Sequence, residues 1–183
     1  MSTSKTAPGR LEVVQDFVNT ADLEGGTDDL AGPEDLRAWL AERDLIAPGI
    51  DLSPADLARA VEFREGLRDA LEANHDGALD PRAIETINRT AAGARLVVRM
   101  APDGSSSLVP DSAGIEGALG RLLAIVYTAM TDGTWDRLKI CKRDKCRWAF
   151  YDQSKNQSGS WCSMAVCGNK EKAAAYRRRH THA

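Results

Sequence analysis

At 183 residues, 43% of them hydrophobic, the chain is long enough for one buried core and an appendage. Its formal net charge of −3 hides a division. Residues 139–183 hold eleven Lys/Arg against three Asp/Glu, whereas residues 1–138 hold thirteen against twenty-four. An acidic body repels phosphate, so any nucleic-acid surface belongs to the basic C-terminal part.

Residues 1–9 read as a disordered leader, without the apolar stretch of an export signal. Leu11, Val14, Phe17 and Val18 lie at helical spacing and end near Asn19. Asp22 to Gly32 reads as a loop. Pro33 opens a second helix with Leu36, Trp39 and Leu40 on one face, and Ser53-Pro54-Ala55-Asp56 starts a third that runs to about Ala73. Asp80-Pro81 repeats the signal for a helix to about Ala92. Leu96 to Met100 and Ser107 to Val109, separated by Asp103-Gly104, predict a hairpin. A long apolar helix follows, with Ile115, Leu119, Leu122, Leu123, Val126, Tyr127 and Met130 on its stripe. Its apolar run Leu122–Tyr127 is too short to span a bilayer. Thr131 to Thr134 is a stop, and the sign of the charge flips just beyond it. The expectation is a mainly α protein: a leader over 1–9, a helical domain with one small β-hairpin over 10–133, and a zinc finger over 134–183.

All four cysteines lie in that last segment, as Cys141-x4-Cys146 and Cys162-x4-Cys167. Two short pairs separated by a spacer form facing knuckles, a pattern suited to one tetrahedral zinc ion. Disulfides fit poorly with a cytoplasmic chain that lacks an export signal, and iron–sulfur ligation fits the symmetric spacing less well. Four thiolates saturate zinc, so the metal is expected to be structural, and about forty residues with few aliphatics need its binding energy to fold. Lys142, Arg143, Lys145 and Arg147 around the first knuckle offset the charge of a four-thiolate centre. Trp148 to Tyr151 reads as a strand, Lys155 to Ser160 as a turn, and Lys170 to about Arg179 as a helix capped by Asn169. Knuckle, hairpin, knuckle and helix make a treble-clef or ribbon-like finger. His75, His180 and His182 are expected to be exposed rather than ligands.

Cys146-Arg-Trp-Ala-Phe-Tyr-Asp-x-Ser-Lys-Asn-x-Ser and Trp161-Cys-Ser-Met-Ala-Val-Cys-Gly-Asn-Lys closely resemble the CGNR zinc-finger family. Lys170 stands where that family's signature has arginine, which keeps the charge and loses the bidentate fork. Gly159-Ser160 falls where relatives often carry basic residues. Upstream, Asp16 to Thr20, Pro33 to Leu40 and Arg64 to Arg68 resemble the ABATE domain that usually accompanies the finger. The resemblance implies a bacterial transcription regulator whose finger binds DNA. Candidate DNA contacts are Lys142, Arg143, Lys145, Arg147, Lys155, Asn156, Lys170, Lys172, Arg177, Arg178 and Arg179. The alternative for the basic residues is a solvated helix end, or neutralisation of the zinc centre and the acidic body.

Arg64 projects from the middle of an apolar helix face made by Leu57, Ala60, Val61, Leu67 and Leu71. Burying it unpaired is costly. It either pairs with one of the many acids or, with Phe17, Asn19 and Trp39, anchors a small anionic effector. No hydrolase triad, phosphate-binding glycine loop or metalloprotease helix appears, so no enzyme activity is expected. A homodimer is compatible with the sequence, and a membrane partner is not expected.

Overall fold

The computed structural model describes residues 5–180. Six α-helices carry the architecture: α1 (Leu11–Val18), α2 (Pro33–Ala41), α3 (Pro54–Asp76), α4 (Pro81–Ala94), α5 (Gly114–Asp132) and α6 (Asn169–His180). Three antiparallel pairs fill the connections: β1 (Ala21–Asp22) with β2 (Thr27–Asp28), β3 (Leu96–Met100) with β4 (Ser106–Pro110), and β5 (Leu138–Ile140) with β6 (Ala149–Tyr151).

Local chemistry accounts for the helix boundaries. Ser53 and Asp56 form a reciprocal capping box at the start of α3, with Pro54 in its first turn. The helix runs a turn past Ala73, because the left-handed cap comes only at Gly77, where φ is 82°. Asp80 caps α4 by accepting the Arg82 N–H. Helix α5 begins at Gly114 despite its glycines. One of them is required by packing, since a Cβ at Gly120 would stand 2.6 Å from Ala94 Cβ and 2.9 Å from Pro110 Cβ. Gly120 thereby lets α5 pass close to α4 and the β3–β4 hairpin.

One core joins the elements. Phe17 from α1, Leu36 and Leu40 from α2, Phe63, Leu67 and Leu71 from α3, and Leu119 and Leu122 from α5 are all within a few per cent of complete burial. Leu138, Ile140 and Ala149 belong to the same cluster. Thus β5 and β6 turn one side into the body, while Phe150, at the alternate position, turns to the cysteines.

Several expectations need correction. The 22–32 segment contains the β1–β2 pair, so the body has two hairpins rather than one. Such two-residue strands are too short for an alternation signal. Tyr127 and Met130 are exposed, because the buried face of α5 runs through Leu119, Leu122, Val126 and Ala129 and leaves them to its side. Asn169 does not cap α6. A π-helical turn, Met164–Gly168, runs straight into the helix, and the Asn169 side chain donates to the Ala165 carbonyl. Residues 1–4 of the expected disordered leader lie outside the described residues, but residues 5–7 are tied down. Lys5 O accepts from Tyr151 N–H at 2.8 Å, and Ala7 N–H donates to Gln15 Oε1 at 2.7 Å. Ala7 is part of the core.

Candidate metal centre and its docking to the body

The first knuckle leaves β5 at Cys141, whose N–H donates to the Trp148 carbonyl across the hairpin. Arg147 takes a left-handed conformation, with φ of 46°, to turn the chain back into β6. The second knuckle ends in the π-helical turn holding Cys167. All four sulfur atoms lie within 4.8 Å of one another, and Cys162 Sγ is 3.7 Å from both Cys146 Sγ and Cys167 Sγ. Sulfurs about 2.3 Å from a central zinc in a tetrahedron stand about 3.8 Å apart. The set therefore fits one zinc ion.

Electrostatics favours the same occupant. Hydrogen bonds from the Cys146 and Cys162 thiols hold the Cys141 thiol well below the usual range, helped by the N–H groups of Cys162 and Arg143. Cys146 is pushed up by its hydrogen bond with Cys141, and Cys162 is pushed up by its contacts with both. The first thiolate forms easily, and each further one meets an existing negative charge. A divalent cation among the sulfurs removes that conflict. With four protein ligands the centre is closed to water and substrate, and its chemical contribution is to hold the knuckles together.

Below the cysteines lies a buried ion pair. Lys139 Nζ approaches Asp152 Oδ2 at 3.3 Å and also donates to the Gln157 carbonyl. Burial opposes the Asp152 charge, but hydrogen bonds from Ser154, the Gly159 N–H and Lys139 outweigh it and hold the carboxyl down to about 2. Gly159 is needed there, since a Cβ would meet the Asp152 carboxylate at 2.7 Å. That explains glycine in a turn where basic residues were the family expectation.

The finger is fastened to the body along its whole inner side. Asn19, at the end of α1, clasps Ala149: its Oδ1 accepts the N–H at 2.7 Å and its Nδ2 donates to the carbonyl at 3.0 Å. Gln15 Nε2 donates to the same carbonyl at 3.1 Å. From α3, Asn74 Nδ2 donates to the carbonyls of Trp135 and Leu138, and His75 Nε2 meets that of Ile140 at 2.6 Å. His75 is therefore half-buried against the finger rather than exposed. His180 is exposed, and His182 lies outside the described residues.

The cations expected to touch nucleic acid divide into two groups. Arg147 pairs with Asp69 at 2.9 Å and Glu72 at 3.0 Å on α3. Arg143 and Lys170 both pair with Glu24, on the β1–β2 turn, and their hydrogen bonds hold its carboxyl down to about 2. Arg143 also meets the Cys167 sulfur. Lys142 and Arg177 have interactions of their own. Lys145, Lys155, Lys172, Arg178 and Arg179 are exposed and make no ion pair among the described residues, and Asn156 lies in the exposed turn.

The residues expected to hold an effector are committed elsewhere. Arg64, 3% exposed, gives both terminal nitrogens to Asp28 at 2.8 and 2.7 Å, its Nε to Glu65 and a further hydrogen bond to Thr20. Phe17 is buried against Trp39 and Phe63, and Asn19 belongs to the finger clasp.

The sequence reading passed over Glu24, Gln15, Asn74 and the Lys139–Asp152 pair. Only Asp152 left a local signal, as the first residue of Asp-x-Ser. Glu24, Asn74 and Gln15 reach the finger across separations of 61 residues or more, as in Asn74 to Trp135, and Lys139 meets Asp152 across 13.

The family model ABATE, described as a putative stress-induced transcription regulator, matches residues 11–132, most of the chain. The chain belongs to the ABATE family. A second model, the CGNR zinc finger, matches residues 137–180, which contain all four cysteines. Among curated proteins no match is found. ABATE body and CGNR finger thus meet at the point where β5 enters the body core. No helix among the described residues is long and apolar enough to cross a membrane.

Proposed function

We propose that the chain is a non-catalytic cytoplasmic regulator of transcription that contacts DNA through its zinc finger. The observation that carries this reading is α6. The helix buries none of its residues, and Lys172, Arg178 and Arg179 stand on it without an ion-pair partner among the described residues. With Lys145 and Lys155 they leave five unpaired cations on a finger whose shape the metal fixes. Such charge supplies affinity for the phosphate backbone, while base preference needs contacts that charge alone does not provide.

The test is binding of the zinc-loaded chain to labelled duplex DNA across a salt series. Five phosphate contacts give a log–log slope of roughly −4 to −5. Cys162→Ser, which removes a ligand, abolishes binding. An absence of affinity even at low salt would refute the proposal.

The body is proposed to sense a small effector, at a place other than Arg64. A groove of about 780 Å3 lies between the ends of α3, α4 and α5 and the finger. Leu79, Ile84, Met130 and Trp135 give it apolar walls, and Asn88 and Gln157 supply hydrogen-bonding groups. Its size is that of small-molecule sites, about 300–1,000 Å3. Gln157 and Trp135 connect it to the finger.

A second reading, a finger that serves only protein contacts, draws support from the Arg143, Arg147 and Lys170 pairs with the body's own acids. A chain indifferent to DNA but destabilised by Arg147→Ala would favour it.

A further inference from the structure

We infer that Arg143 and Lys170 form a phosphate site of the finger, and that Glu24 of the body occupies it in the free chain. The inference rests on the DNA-binding reading and adds to it a specific contact and its control. Arg143 comes from the first knuckle and Lys170 from the first turn of α6, yet both converge on one carboxylate. Glu24 Oε2 accepts from Arg143, and Oε1 accepts from Lys170 at 2.8 Å. The two non-bridging oxygens of a phosphodiester offer the same pair of acceptors with a full negative charge.

The surroundings separate this contact from the other body–finger pairs. Arg147 is held by two acids on the long helix α3, and the Lys139–Asp152 pair is buried within the finger. Arg147 thus has two acids on a helix, whereas Arg143 and Lys170 share one acid on a turn. Glu24 instead stands at the tip of a turn that bonds chiefly to itself, with the N–H groups of Glu24 and Gly25 both donating to Asp22 Oδ1. Residues 23–29 of that turn are exposed throughout. Rotating the Glu24 side chain into solvent therefore uncovers no core, and exposed ion pairs of this kind are individually weak.

Arg143 would stay in place when Glu24 leaves, since it is only 12% exposed and lies against the Cys167 sulfur. Lys170 is half exposed, and its side chain extends from the first turn of α6 beside it. The Arg143 half of the site is thus formed before its ligand arrives, and Glu24 is a competitor that nucleic acid must displace. Displacement breaks the contact between the tip of the β1–β2 turn and the finger, while Asp28 of the same hairpin stays paired with Arg64 in the body.

The experiment compares zinc-loaded full-length protein, wild type and Glu24→Gln, for binding to a labelled DNA duplex by fluorescence anisotropy across a salt series. Zinc content and thermal unfolding establish that both are folded. The expected result is affinity at least about fivefold tighter for Glu24→Gln. Its log–log salt slope should stay within about 1 of the wild type's, because the same cations reach phosphate in both once Glu24 is displaced. Asp29→Asn, which removes an exposed acid close by in sequence, should change affinity by less than about twofold. Arg143→Ala with Lys170→Ala should erase the gain in the Glu24→Gln background and cost little in the wild type. Wild-type affinity in Glu24→Gln overturns the inference while leaving DNA binding intact. An equal gain from Asp29→Asn also overturns it, because bulk charge then suffices. If neither wild type nor Glu24→Gln binds at low salt, the DNA-binding reading itself falls.

Discussion

Arg64 illustrates how a buried charge is managed at the scale of one residue. Its guanidinium lies in the core, and burial opposes its charge. Hydrogen bonds to Asp28 and Glu65 more than offset this and raise its affinity for the proton. Burial likewise opposes ionisation of the two carboxylates. The Arg64 hydrogen bonds outweigh it at Asp28, and those of Arg68 and Arg64 do so at Glu65, so both groups titrate below their usual range. A carboxyl whose folded pKa is depressed stabilises the fold above its unfolded pKa and loses that contribution as pH falls through the folded value. Asp28→Asn should therefore cost about 1.5–3 kcal/mol at pH 7, the range for hydrogen bonds to charged groups. The gap to wild type should narrow once pH falls below about 4. Urea denaturation of both proteins at neutral and acid pH checks this, and a gap independent of pH would count against the pairing.

At the scale of elements, the finger's hairpin serves two cores at once through the alternation of a strand. Leu138, Ile140 and Ala149 enter the body, while Phe150 packs with Cys141, Cys146 and Cys167. The outer edge of β6 has its backbone groups satisfied by Asn19 and Gln15 of α1. Removing the Asn19 side chain leaves the buried Ala149 N–H without an acceptor, while Gln15 still serves the carbonyl. Asn19→Ala should thus destabilise by about 1–3 kcal/mol. Asn19→Asp, which keeps an acceptor for that N–H, should recover part of the loss. The measurement is the urea midpoint of each variant with zinc bound. Equal losses in the two variants would show that the acceptor is not what matters.

At the scale of the whole molecule, metal binding and body stability are coupled, because β5 and β6 are shared between the knuckles and the main core. Chelation of zinc is expected to lower the unfolding temperature of the helical signal, not only to melt a C-terminal appendage. Far-ultraviolet circular dichroism with and without a chelator tests this, and an unchanged helical transition would mean that body and finger fold independently. The sequence by itself determined what local chemistry encodes. Capping residues placed the starts of α3 and α4, Asp103-Gly104 placed a hairpin, and two cysteine pairs with one spacer defined the metal site, since each signal lies within a few residues of its effect. The tertiary structure decided which charges meet. Arg64 found Asp28, Arg147 found Asp69 and Glu72, and Arg143 with Lys170 found Glu24, across separations of 36 to 146 residues. Ion pairing depends on distance in space and leaves no period or spacing in the chain, so composition disclosed that an acidic body faced a basic finger but not which side chains joined them.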